Sequence, residues 1–223
     1  ALRAVVFDLD GTLADTAPDL ADATNAVRGA RGLAPLELRT LRAHVSGGAR
    51  ALLAAALGMG TDHADYAACR AALLDHYGAN LGTRARLFDG MAEVLAALGA
   101  RGIGWGIVTN KPRVYAAPLL DALGLAGACR CLLTPDDVAR AKPDPQGTAL
   151  ACAALGADPA QVLFVGDDAR DIQAGRAAGT RTAAALWGYL PSGCRAVDWG
   201  ADLLCPSPAQ LAVWIERACE VSA

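Results

Sequence analysis

The chain has 223 residues, 54% of them hydrophobic and 19% charged, with a formal net charge of −3. That balance excludes a disordered chain and gives no bulk electrostatic reason to bind nucleic acid or an anionic membrane, so any anion site must be local. Seven cysteines (Cys69, Cys129, Cys131, Cys152, Cys194, Cys205 and Cys219) form no Cys-x-x-Cys pair and lie near no histidine cluster. The odd count and the absence of a secretory leader favour apolar fillers in a reducing compartment, and the apolar run 51–60 is well short of the ~18 residues a bilayer span needs. The expectation is a cytoplasmic protein with no membrane and no nucleic-acid partner.

Ala4 to Phe7 is a run of four apolar residues, the pattern of a strand covered on both faces. It opens into Asp8-Leu9-Asp10-Gly11-Thr12, where Gly11 permits an abrupt turn. Two carboxylates one residue apart with no basic neighbour repel each other unless a cation or a proton intervenes. Asp8 and Asp10 therefore suit half a site for a hard divalent ion such as Mg²⁺, and a carboxylate there can also act as a nucleophile toward phosphorus. An isolated pair would serve equally well as a polar loop capping the next helix.

Asp15-Thr16-Ala17-Pro18-Asp19 reads as a helix start. From there to about Arg86 leucines and valines recur at helical spacing, broken near Gly32, Ser46-Gly47-Gly48 and Gly58 to Asp62, which predicts a small helical bundle over 16–86 inserted into a core of 1–15 and 87–223. Beyond Leu87 the rhythm alternates. Helical segments at Met91 to Ala100, Val114 to Leu123, Gln146 to Leu155 and Asp171 to Ala178 lead into strands at Trp105 to Thr109, Cys131 to Thr134, Val162 to Gly166 and Arg181 to Leu186. A short apolar segment, Ala201 to Cys205, and a helix from Pro208 to about Ala218 follow. The fold class this implies is α/β, a doubly wound parallel sheet.

In a parallel sheet the carboxyl ends of the strands share one rim. There the sequence delivers Asp8 and Asp10, then Thr109-Asn110-Lys111, then Lys142 in the loop beyond the third strand, then Asp167 and Asp168 with Asp171 one turn later. Taken singly, Thr109-Asn110 is a turn, Lys142 a solvated lysine, Asp167 and Asp168 helix caps and Asp171 an exposed helical residue. Taken together they supply acids for a divalent ion, a hydroxyl and an amide for phosphate oxygens and a lysine for the remaining charge, which is what phosphoryl transfer requires. No Gly-x-x-x-x-Gly-Lys-Ser/Thr loop is present, which argues against an ordinary NTPase.

In this order, Asp8-Leu9-Asp10-Gly11-Thr12, Val108-Thr109-Asn110, Lys142-Pro143 and Gly166-Asp167 through Asp171 resemble the four motifs of the haloacid dehalogenase superfamily, and the helical insertion resembles the cap of the subfamily that includes phosphoglycolate phosphatases. The resemblance implies that Asp8 attacks phosphorus and that Asp10 protonates the leaving alkoxide and later deprotonates water. It implies that Mg²⁺ is held by Asp8, the backbone carbonyl of Asp10 and Asp167, that Thr109 and the Asn110 backbone bind phosphoryl oxygens, and that Lys142 neutralises Asp8 and the phosphate. Asp171 would support the metal or hold Lys142; Asp168 would be a ligand, a support or neither.

A narrower resemblance, to phosphatases of N-acetylmuramic acid 6-phosphate, rests on Ser46-Gly47-Gly48-Ala49-Arg50, Val108 to Pro112, Gly166-Asp167-Asp168 followed by Arg170-Asp171-Ile172, Gly179 to Ala183, and Trp187-Gly188-Tyr189; Leu186-Trp187 departs from the arginine-tyrosine pairing expected there. Arg50 and Lys111 are the candidates for reading the non-phosphate part of a small phosphate monoester, since both proposed substrates carry a carboxylate that arginine grips with two hydrogen bonds. Arg50 would equally suit a solvent-facing position on a cap helix. His44, His63 and His76 show no metal spacing. A haloacid dehalogenase would need neither Asp10 nor a metal, so the intact acidic set argues against it; a phosphosugar mutase and a non-catalytic phosphometabolite-binding module are the alternatives. The expected chain is a monomer or weak homodimer, with cap hinges near 15–18 and 86–89.

Overall fold

The computed structural model describes residues 1–190 and 193–220. Its main sheet has six parallel strands: β1 (Ala4–Phe7), β4 (Gly104–Val108), β5 (Leu132–Leu133), β6 (Val162–Gly166), β7 (Arg181–Ala185) and β8 (Leu203–Cys205), in the order β5-β4-β1-β6-β7-β8. β2 (Ala14–Asp15) and β3 (Arg86–Leu87) form a separate antiparallel pair. The helices are α1 (Ala17–Ala30), α2 (Leu38–Arg42), α3 (Gly48–Leu57), α4 (Tyr66–Ala79), α5 (Met91–Ala100), α6 (Arg113–Ala122), α7 (Gln146–Leu155), α8 (Ala169–Ala177) and α9 (Pro208–Glu220). No helix among the described residues is long and apolar enough to cross a membrane, and the seven cysteines are free.

β1 is buried along its length because alternate side chains enter opposite layers. Val5 and Phe7 pack with Met91, Val94 and Leu98 of α5, Leu119 and Leu120 of α6, and Leu211 and Ile215 of α9. Ala4 and Val6 face Ala151 and Cys152 of α7 and Ala174 of α8. This is the doubly wound parallel α/β sheet the alternation predicts. The strand expected at Cys131 to Thr134 contracts to β5, and the apolar segment Ala201 to Cys205 supplies β8; these are the two edges of the sheet and pair on one side only.

The helices α1 to α4 bury a cluster of their own, with Leu41, Leu52, Leu53 and Leu73 fully enclosed. A five-residue helix such as α2 has no stability in isolation, so it is Leu41 in this cluster that holds it. The chain enters and leaves this bundle through the β2–β3 ladder, Ala14 opposite Leu87 and Asp15 opposite Arg86. Buried Asp19 of α1 adds a second tie, accepting the backbone N–H groups of Gly82 and Arg84 at 2.9 and 2.7 Å.

Candidate active site

The strand register places Phe7 opposite Ile107 on one side and Val165 on the other, so Asp8 emerges level with Val108 and Gly166. One buried cation joins these strand ends. Lys142 Nζ donates to Asp8 Oδ1 at 2.8 Å and Val108 O at 2.7 Å, and pairs with Asp171 Oδ1 at 2.7 Å. An ammonium has three N–H donors, so this lysine is saturated. Its backbone is fixed by Asn110, whose side-chain amide accepts from Lys142 N and donates to Lys142 O, both at 3.0 Å. Asn110 thus serves the lysine through its side chain, and Thr109 Oγ1 accepts Lys111 N at 3.1 Å.

Carboxylate oxygens of Asp8, Asp167 and Asp171 all lie within 4.8 Å of one another. Asp167 accepts Thr12 Oγ1 at 3.1 Å and the Tyr189 N–H at 2.7 Å. Backbone approaches here are close: Gly11 has φ +87°, and a Cβ on it would lie 2.1 Å from Asp167 Oδ2, while a Cβ on Gly188 would lie 2.3 Å from Asp167 Cβ. Trp187 Nε1 donates to Thr12 O at 3.0 Å, so this departure from the expected pairing braces the acidic loop. Asp171 is 2% exposed and also accepts the Asp168 N–H at 3.1 Å, while Asp168 caps α8 and grips Arg170 at 2.8 Å.

Burial raises the pKa of all three clustered acids. For Asp8, Lys142 opposes the rise; for Asp167, Asp8 and Asp171 add to it; Asp171 is pushed up to about 7 despite Lys142. Burial alone would lower the Lys142 pKa, but Asp171 and Asp8 outweigh it and hold the amine charged. Three acids around one monovalent cation leave negative charge uncompensated. An all-oxygen donor set with that excess fits a hard divalent cation.

Asp10 faces elsewhere. Its Oδ1 accepts Thr16 Oγ1 at 2.5 Å and Lys111 Nζ at 2.8 Å, and its Oδ2 has no hydrogen-bond partner among the described residues. Lys111 Nζ also lies 4.8 Å from the Tyr77 ring centroid. Beyond Asp8 and Asp10 opens a cavity of about 380 Å³, walled on the sheet side by Thr109, Asn110 and Asp167 and on the other by Val45, Arg50, Leu74 and Tyr77. Arg50 therefore does reach the cavity, while the charge of Lys111 is held by Asp10.

Sequence reasoning missed Arg70 and Tyr77, and gave no role to Tyr189 or Arg170, which it named only as part of the narrower resemblance. Arg70 and Tyr77 share a helical stripe with Leu74 that reads as ordinary amphipathicity. The Tyr189 hydroxyl donates to Asp15 Oδ1 at 2.8 Å and accepts Thr16 N and Ala17 N at 2.7 and 2.9 Å, partners far apart in sequence. Arg170 donates to Ser46 O of the helical bundle at 2.9 Å.

A parallel sheet whose strand ends gather an acid pair, a buried lysine and a further pair of acids, beside a bundle of four helices, defines a class of α/β protein with an acidic cluster at the sheet rim. The model of the haloacid dehalogenase-like hydrolases matches residues 2–179, and the chain belongs to that family. It is 47% identical over 217 residues to the N-acetylmuramic acid 6-phosphate phosphatase of Pseudomonas aeruginosa, covering 97% of this chain and 96% of that one. It is 45% identical over 212 residues to a phosphoglycolate phosphatase of Xanthomonas campestris, covering 94% of each. Among solved structures, one described as a predicted phosphoglycolate phosphatase from Haemophilus somnus superposes with a TM-score of 0.83 at 27% identity, covering 96% of this chain and 98% of that one.

Proposed function

We infer that the protein is a Mg²⁺-dependent phosphatase that hydrolyses a small, carboxylate-bearing phosphate monoester through an aspartyl-phosphate on Asp8. The observation that carries this reading is the opposite dress of the two aspartates. Asp8 is held beside Lys142, Asp167 and Asp171, while Asp10 is turned toward Thr16 and Lys111 with one oxygen unoccupied. The first environment suits a nucleophile meeting a phosphoryl group, and the second suits proton transfer.

In the first step an Asp8 oxygen attacks phosphorus and the ester P–O bond breaks, its electron pair leaving on the alkoxide, which takes a proton from Asp10 Oδ2. In the second, water attacks the same phosphorus, gives its proton to Asp10, and the acyl-phosphate P–O bond breaks to free phosphate and Asp8. Lys142 opposes charge on the phosphoryl oxygens, and Thr109 Oγ1, whose proton is not used by Lys111 N, donates to one of them. Asp8 and Asp167, with the Asp10 carbonyl, would hold Mg²⁺, which when bound supplies positive charge to the phosphoryl group.

Residues 16–86 are the cap, and the β2–β3 crossing lets it close over substrate and exclude water. The cavity of about 380 Å³ lies in the range that encloses a sugar-sized ligand and exceeds what a two-carbon acid phosphate fills, which favours N-acetylmuramic acid 6-phosphate over 2-phosphoglycolate. The same free thiols support a reducing, cytoplasmic setting. The test is phosphate release with Mg²⁺ from the two esters at equal low concentration. Preference for the sugar is expected; preference for 2-phosphoglycolate would overturn the substrate assignment, and no release from either, or from p-nitrophenyl phosphate, would overturn the activity.

A further inference from the structure

The cavity's cations fall into two groups. Lys142, Lys111 and Arg170 are each neutralised within the protein, by Asp8 with Asp171, by Asp10 and by Asp168 respectively. Arg50, in the first turn of α3, and Arg70, on α4, line the same cavity, yet neither makes an ion pair or a side-chain hydrogen bond among the described residues. Arg70, Leu74 and Tyr77 follow one another at helical spacing, so a single stripe of α4 forms this wall.

A solvated arginine is unremarkable in itself, but two buried hydroxyls on residues of the same cavity are not. Ser46 Oγ and Tyr77 Oη both lack a hydrogen-bond partner, and both residues line the cavity. Tyr77 is 2% exposed, and leaving a buried polar group unpaired costs about 1–3 kcal/mol, so such groups are rare unless a ligand completes them. Burial pushes the Tyr77 phenol up to about 12, with the Lys111 charge pulling the other way, so it remains a neutral donor in neutral solution. Two unpaired guanidiniums, the unpaired Ser46 hydroxyl and a Tyr77 hydroxyl near the Lys111 charge, set around apolar Leu20, Val45 and Leu74, describe the complement of an anionic, hydroxyl-rich and partly apolar group.

We propose that Arg70 is a specificity-determining residue that, together with Arg50, binds a carboxylate on the alcohol portion of the substrate, while Tyr77 and Ser46 hydrogen-bond the polar atoms of the same portion. This rests on the phosphatase reading above. It adds a second arginine, a donor pair and an assignment of α4 as the recognition wall. The sheet rim handles phosphate in this scheme, and α4 selects what the phosphate is attached to.

The experiment compares wild type, Arg70→Ala and Arg70→Lys on N-acetylmuramic acid 6-phosphate and N-acetylglucosamine 6-phosphate, which differ by the lactyl ether and its carboxylate. A charged hydrogen-bonded contact is worth about 10–150-fold in binding, so R70A is expected to lower kcat/KM by roughly 10–100-fold on the first ester, chiefly through KM, and to leave the second within about 2-fold. R70K should recover part of the loss, because it restores charge without the planar fork. Equal losses on both esters, no loss on either, or a selective loss on a sugar bisphosphate instead would overturn the proposal. p-Nitrophenyl phosphate separates the two readings: a wild type inactive on it and on both sugar esters defeats the phosphatase assignment. Arg70 is then judged by calorimetric binding of free N-acetylmuramic acid against N-acetylglucosamine, where selective binding lost in R70A supports the proposal and its absence in wild type overturns it.

Discussion

The two walls of the cavity satisfy their polar groups in opposite ways. On the sheet rim Lys142 uses all three of its donors, Asp167 receives Thr12 and Tyr189, and Asn110 closes a two-bond clamp on Lys142. On the helical wall Arg50, Arg70, Ser46 Oγ and Tyr77 Oη have no such partner among the described residues. In the proposed function a rim whose side chains are fixed by one another acts on the phosphoryl group placed before it, and the unpaired groups of the helical wall are met by the rest of the substrate. The proposal thereby gives chemistry and selectivity to different parts of the chain, and variants on the two sides should fail differently.

The largest expected effect is on the rim. Asp8→Asn removes the nucleophile with little change of shape and should lower kcat by ~10⁴-fold or more on every ester, with unchanged circular dichroism and no trapped acyl-phosphate. Stripping divalent cations with a chelator should abolish turnover comparably. Adding Mg²⁺ back should raise Tm with concentration, by the equivalent of about 2.7 kcal/mol at a hundredfold excess over Kd, and Asp167→Asn should blunt that response. If Tm ignores Mg²⁺ in wild type, the acidic cluster is not the cation's seat.

Lys142→Met tests whether the rim is held together by its charge. The lysine side chain is 4% exposed and its loss leaves Asp8 and Asp171 buried without their cation, so a destabilisation of about 3–5 kcal/mol is expected by chemical denaturation. A loss under 1 kcal/mol would mean that these acids are neutral in the native protein and that Lys142 bridges them only weakly.

How much of this was legible beforehand follows the same divide. Asp8, Asp10 and Asp167 stand at the ends of apolar runs, and a parallel sheet leaves such positions no choice but one rim, whereas Lys142 comes from the loop beyond β5 and reaches the rim only through its ion pairs with Asp8 and Asp171. The supporting roles were less visible, because they depend on side-chain direction. Nothing in Thr109-Asn110-Lys111 says that Asn110 would hold Lys142 by its backbone or that Lys111 would turn to Asp10. Asp168 takes up its helix-cap reading on α8, and its grip on Arg170 had no signal in the sequence. The helical wall was hidden more deeply. Arg70, Leu74 and Tyr77 follow the spacing of any amphipathic helix, and only the packing of α4 reveals that their stripe faces a cavity.

The smallest effect concerns the joint between the two walls. α1 begins without a side-chain cap from its own neighbourhood, and Pro18 has no N–H to satisfy. The buried donors there are Thr16 N and Ala17 N, and both are taken by the hydroxyl of Tyr189, which donates its own O–H to Asp15. One donor and two acceptor sites are all that a phenol has, so this hydroxyl is fully used. Arg42 of α2 closes the cluster from the bundle, donating to Asp15 Oδ2 at 2.8 Å and lying 5.1 Å from the Tyr189 ring centroid. The Tyr189 backbone, meanwhile, holds Asp167. Tyr189→Phe keeps the ring and that backbone bond but leaves two backbone donors unpaired, so a loss of about 1–3 kcal/mol is expected, with Tm falling about 2–4 °C for each kcal/mol. Because the rim and the α4 stripe are untouched, kcat/KM on N-acetylmuramic acid 6-phosphate and N-acetylglucosamine 6-phosphate should change in parallel. If Y189F instead shifts the ratio between the two esters, the joint helps set where α4 stands over the rim, and selectivity cannot be assigned to the helical wall alone.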